Sequence, residues 1–223
     1  MTQTRHKTDH ELKMAINDEL VWAPNVDADH IGTSVLDGAV TLAGEVRSYP
    51  EKAAALKAAL RVHGVTAVAD ELVVQHTWGV REDADIARDA GAALESSIAL
   101  MKDTVKARVH NHQITLSGNV DWNYQRDAAA HAVASLPGVT GISNIINIKP
   151  SLPFIADEAA SRITSALVRN AQIDAEKVHI SASGSEIQLT GSVRSWAEYR
   201  QAGYAAWATP GVSHVDNQLT VVS

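Results

Sequence analysis

Thr41-Leu42-Ala43-Gly44-Glu45-Val46 returns as Thr115-Leu116-Ser117-Gly118-Asn119-Val120 and again as Leu189-Thr190-Gly191-Ser192-Val193. The glycines Gly44, Gly118 and Gly191 stand 74 and 73 residues apart, and a Gly-Val pair follows each by 20 residues: Gly64-Val65, Gly138-Val139 and Gly211-Val212. Matched intervals of this kind are the signature of an internal repeat. The chain therefore reads as three tandem copies of one unit of about 70 residues, with expected boundaries at 1–76, 77–150 and 151–223.

Upstream of each glycine lies an apolar series at i, i+4 and i+8: Leu12/Ile16/Leu20, Ile86/Ala90/Leu94 and Ala159/Ile163/Leu167. That period belongs to an amphipathic helix. Acidic residues open it (Asp9 and Glu11; Asp83 and Asp85; Asp157 and Glu158), which suits the positive end of a helix dipole. Two runs of period two follow, the second being Val40/Leu42/Gly44/Val46, Ile114/Leu116/Gly118/Val120 and Ile187/Leu189/Gly191/Val193. Alternation of this kind marks half-buried strands. Asp37-Gly38, Asn111-His112 and Gly184-Ser185 are the turns between them.

Ser48-Tyr49-Pro50-Glu51 and Ser195-Trp196-Ala197-Glu198 read as capping boxes that start a second, Ala-rich helix. The middle copy has Trp122 in place of the serine, so Asp121 or Asn123 is the expected cap there. A last strand carries Leu72/Val74, Ile146/Ile148 and Leu219/Val221. Each unit is thus helix, strand, strand, helix, strand. The predicted class is α+β, with a small three-stranded sheet covered on one face by two helices. The strand-two glycine is expected to admit close packing of second-helix alanines such as Ala55, Ala129 and Ala202. A unit this small buries only roughly 60% of its surface and is marginal alone. The copies are therefore expected to pack on one another, with Trp78 and Phe154 as contacts.

This ordered set resembles the BON module, named for bacterial osmotic-shock and nodulation proteins. The likeness rests on L-x-G-x-V, the later Gly-Val, and a last strand of the form V-x-[DN]-x-[LIV]-x-V. The last strand reads Val68-Ala69-Asp70-Glu71-Leu72-Val73-Val74, Ile142-Ser143-Asn144-Ile145-Ile146-Asn147-Ile148 and Val215-Asp216-Asn217-Gln218-Leu219-Thr220-Val221. The resemblance implies a non-catalytic module of the kind tied to envelope stress, phospholipid contact, secretion or channel assemblies, and chaperone-like roles. One relative senses potassium.

Composition narrows the function classes. Net charge is −7, falling about −4, −1 and −2 across the three copies when Asp and Glu are counted against Lys and Arg. Nucleic acid and a purely electrostatic grip on anionic lipid both need clustered Lys and Arg, and are disfavoured. With no cysteine, disulfides, thiolate metal sites and a Cys nucleophile are excluded. No window approaches the ~18 apolar residues of a membrane span. Residues 1–25 lack the apolar stretch of a secretory signal, so a cytoplasmic location is expected, or a periplasmic one if the native start lies elsewhere.

Three sets of residues could carry a site. His110 and His112 have the spacing of a metal pair on a strand, but a site needs three or four ligands and no carboxylate partner recurs nearby, so no metal and no cofactor is assigned. Asp70, Asn144 and Asn217 share the apolar parity of the last strand, and the expectation is a side chain bonding nearby backbone, with a thrice-repeated polar ligand site as the other reading. Tyr49, Trp122 and Trp196 put an aromatic near the start of every second helix, either as a lid on the module or as a surface contact. With no phosphate loop and no triad, the expected function is that of a binding or scaffold protein linked to osmotic or envelope stress, contacting an unidentified protein or phospholipid. The alternatives are a small-ligand or potassium-type ion sensor and a self-assembling structural protein. Oligomeric state is left open.

Overall fold

The computed structural model describes residues 7–75, 81–97, 104–151, 156–169 and 177–222. Trp78 and Phe154 lie outside them. The first copy runs α1 (Asp9–Trp22), β1 (Ile31–Leu36), β2 (Ala39–Val46), α2 (Tyr49–Ala59) and β3 (Ala67–Val74). The second runs α3 (Asp83–Ser96), β4 (Val105–His110), β5 (Gln113–Val120), α4 (Asn123–Ala134), β6 (Gly141–Asn144) and β7 (Asn147–Ile148). The third runs α5 (Ala156–Arg169), β8 (Val178–Ser183), β9 (Glu186–Val193), α6 (Trp196–Trp207) and β10 (His214–Val221). The class is α+β, with three small mixed sheets.

In each sheet the second strand is central. It pairs with the first across a two-residue hairpin, with Leu36 opposite Ala39, His110 opposite Gln113 and Ser183 opposite Glu186. The last strand lies on its other side, parallel in the first two copies, with Leu42 opposite Asp70 and Leu116 opposite Asn144. In the second copy this strand is interrupted into β6 and β7 without a change of register, since Asn119 still faces Asn147.

The i, i+4, i+8 series faces inward in every first helix: Leu12, Ile16 and Leu20, then Ile86, Ala90 and Leu94, then Ala159, Ile163 and Leu167 are all buried. In the first copy they share one core cluster with the central-strand residues Val40, Leu42 and Val46, and Ile114/Leu116/Val120 and Ile187/Leu189/Val193 are buried in the same way. At roughly 1.5–3 kcal/mol for each large aliphatic side chain taken out of water, these stripes supply most of the drive to fold. By compactness the chain divides into two units. Unit 1 holds residues 1–81 with 194–197 and 221–223, and unit 2 holds 82–193 with 198–220.

The glycines within the central strands answer to the neighbouring strand, and this corrects the expectation that helix alanines approach them. Gly44, Gly118 and Gly191 have φ of 133°, 138° and 115°. A Cβ on them would lie 2.1, 2.0 and 2.0 Å from the carbonyl oxygens of His30, Thr104 and Lys177, at the entry to the first strand. Both the positive φ and the backbone contact exclude a side chain. Alanines 55, 58, 129, 202 and 206 are buried, but in the core.

A candidate aromatic groove and the repeated polar positions

Most of the repeated polar positions resolve into structural roles. Asp70, Asn144 and Asn217 each accept from the amide two residues on, at Leu72 (3.1 Å), Ile146 (3.2 Å) and Leu219 (3.3 Å). The other side-chain atom reaches the second helix. Asn144 Nδ2 donates to the Arg126 carbonyl (2.9 Å) and Asn217 Nδ2 to the Tyr199 carbonyl (3.1 Å). Asp70 has no such donor. At the equivalent helix position Lys52 instead brings its Nζ to 3.0 Å from Asp70 Oδ2 and donates to the Leu72 carbonyl. One carboxylate plus one ammonium thus replaces one amide in tying helix to strand.

The acidic residues that open the first helices have a further task. Asp9 accepts from the amides of Asp37 (3.0 Å) and Gly38 (3.2 Å). Asp83 accepts from Asn111 (2.8 Å) and His112 (2.9 Å). The carboxylate therefore holds the hairpin turn, a role the dipole reading did not include. These bonds, led by the one from the His112 amide, hold the Asp83 carboxyl below its ordinary range, despite an opposing desolvation effect.

His110 ends β4, whereas His112 is the second turn residue with φ of 64°. The two are therefore not alternate residues of one strand face, as the metal spacing required. The carboxylate missing from the sequence reading is Asp83, but it is occupied by turn amides. Among the described residues, no three His, Cys, Asp or Glu side chains gather as metal ligands.

The helix starts differ from expectation. Ser48 caps α2, taking the Glu51 amide at 3.3 Å. The Glu51 carboxylate does not complete a box with Ser48; it accepts from the amides of Arg47 and Asp27, each at 2.8 Å. In the middle copy neither Asp121 nor Asn123 is the cap. Trp122 occupies that position without a side-chain bond, and Gln125 Oε1 accepts from the Asp121 and Trp122 amides, each at 3.0 Å.

The three aromatics part company. Tyr49 is half-buried, and burial first and the Asp70 charge second raise its phenol above the ordinary range. Trp196, within unit 1, donates its indole N–H to the Val65 carbonyl at 3.0 Å. Trp122 lines a groove of roughly 800 Å³ in unit 2, together with Asn123, Tyr124, Asp127, His131, Tyr204 and Trp207. The residues come from the start of α4 and along it to His131 in its last turn, and from the last turn of α6.

Large aromatic side chains normally pack away from water, yet Tyr124 and Tyr204 are 59% and 57% exposed. The Trp122 and Tyr124 rings stand 6.4 Å apart, and the Arg126 guanidinium lies 4.9 Å from the centre of the Trp207 ring. Asn123 is 7% exposed; its Nδ2 donates to Asp127 Oδ2 at 3.0 Å, while its Oδ1 has no partner among the described residues. No hydrogen bond joins any two of Asp127, His131, Tyr124 and Tyr204. The groove is equipped to hold a ligand against aromatic faces. It has no coupled acid, base and nucleophile.

Sequence reasoning singled out Trp122 and missed the rest of the groove. The available signal was departure from the repeat. Trp122 stands where the other copies have Ser48 and Ser195, Tyr124 where they have Pro50 and Ala197, and Tyr204 where the second copy has His131.

Comparison with known proteins agrees with the repeat. The family model described as BON domain matches residues 8–76, 82–150 and 156–223. Osmotically-inducible protein Y of Escherichia coli (strain K12) is 28% identical over 144 residues, covering 62% of this chain and 72% of that protein. Two structures of CdsD, a structural protein of the type III secretion system of Chlamydia trachomatis, align at 16% and 15% identity. They cover 95% and 100% of this chain and 92% and 100% of theirs, each with a TM-score of 0.28. Three matches spanning nearly all of the described residues leave one conclusion: the chain belongs to the BON-domain family.

Proposed function

We propose that this chain is a non-catalytic binding protein of an osmotic-stress response, and that it engages its partner through the aromatic groove of unit 2. The stress assignment is supported by family membership and by the similarity to osmotically-inducible protein Y. The groove is supported by one observation above others. Glycine, Asx and hairpin-holding positions are spent on the fold, whereas residues that depart from the repeat gather as two exposed tyrosines and two half-buried tryptophans around one concavity. Natural sequences break local rules chiefly where function requires it, and Trp122 gives up a serine cap worth about 1 kcal/mol.

The test is capture by the full chain from osmotically stressed cells, run beside flotation with phospholipid vesicles, for the natural sequence and for Trp207→Ala. Retention of a lipid or protein partner that the variant loses is the expected result. No retention of either, or retention indifferent to Trp207, contradicts the proposal.

A further inference from the structure

We infer that the unit 2 groove is a site for a small organic cation of the quaternary ammonium class. The inference rests on reading the groove as a binding surface and adds a small ligand that the groove takes besides the lipid or protein partner.

The walls are electron-rich. Four aromatic rings, Trp122, Tyr124, Tyr204 and Trp207, line one concavity. The face of each ring carries negative quadrupole potential, which attracts a cation within about 6 Å. Asp127 adds a carboxylate to the same lining. Asn123, more than nine-tenths buried in the wall, leaves its carbonyl dipole uncompensated by any donor among the described residues. A cation already exploits this environment, since Arg126 stands 4.9 Å above the Trp207 ring.

The kind of cation follows from the predominance of ring surface over polar groups in the lining. A primary ammonium has three N–H groups to satisfy, and an unsatisfied one is costly to desolvate. The lining offers scattered acceptors, the Tyr124 and Tyr204 hydroxyls, the His131 ring and one carboxylate whose Oδ2 already accepts from Asn123, against four aromatic rings. A trimethylammonium group has no N–H and needs only ring faces and a counter-charge. A groove of roughly 800 Å³ has room for a whole small solute of this kind. A free solute is therefore the occupant proposed, not the headgroup of a bilayer.

The experiment titrates the full chain with choline and, separately, with 3,3-dimethylbutan-1-ol, which keeps the shape and removes the charge. The indole N–H resonances of Trp122 and Trp207 report binding by NMR. Choline is expected to move both and to bind at least about tenfold more tightly than the neutral analogue. Tyr204→Leu and Asp127→Asn are each expected to weaken choline severalfold. Tyr204 is exposed, so its loss leaves the core intact.

Equal affinity for the two probes overturns the cation assignment while leaving a binding groove in place. No movement of either indole at tens of millimolar choline, or movement unaffected by both variants, also overturns it. Co-flotation with phosphatidylcholine vesicles by a chain that ignores free choline overturns the solute in favour of a headgroup.

Discussion

At Asn144 one side chain makes two bonds that together tie β6 to α4: its oxygen takes the Ile146 amide and its nitrogen serves the Arg126 carbonyl. Replacing it by aspartate keeps the first bond and sets a carboxylate oxygen against a carbonyl. Asn144→Asp is therefore expected to cost about 1–3 kcal/mol in urea unfolding at neutral pH. The first copy tolerates Asp70 because Lys52 supplies the missing positive partner. Gly118 is a sharper case, because a methyl group there would meet the Thr104 carbonyl. Gly118→Ala should cost about 3 kcal/mol or more, read from the same unfolding curves; a loss within 0.5 kcal/mol would contradict the contact.

Asp83 gives a pH signature. Its folded carboxyl titrates below its unfolded value, so its contribution is complete above about pH 4 and is lost as acid protonates the folded group. The amide resonances of Asn111 and His112 should then titrate together, with a midpoint below the ordinary value of about 3.9. A midpoint at or above that value would show the bonds to be absent in solution.

Among the elements, the hairpins carry the next prediction. Asp37 and Gly38 both have positive φ, as do Asn111 and His112, which is the twist a two-residue hairpin prefers. Histidine accepts that conformation poorly. His112→Gly is expected to raise stability by about 0.5–1 kcal/mol, measured by thermal unfolding, and a fall in the melting temperature would contradict the strain.

The helices, strands and turn positions were legible because each is written in a local period or a dipeptide. The reasons behind single residues were less so. Gly118 could be placed in its strand from alternation, but its φ and its approach to Thr104 depend on pairing with a strand that begins 13 residues earlier. Asp83 looked like a dipole partner because the turn it holds lies 28 and 29 residues away. The Asx side chains take backbone amides two residues on, and their reach to the second helix was not foreseen. The groove was least legible, since Trp122 and Trp207 belong to different copies and no periodicity relates them.

For the whole molecule, repetition divides labour between positions. Residues held in register across copies close each sheet and anchor its helices. Those that break register are free to differ, and in unit 2 they include four aromatic residues lining one groove. Trp122→Ser separates the two tasks. It returns a serine that can cap α4, a gain of about 1 kcal/mol that offsets the lost ring contacts, and it strips one wall from the groove. The most direct measurement pairs the thermal midpoint of the Trp122→Ser, Trp207→Leu chain with its capture of partners from stressed cells. The account predicts a midpoint within a few degrees of the natural chain and capture lost. Undiminished capture by the folded variant would contradict it.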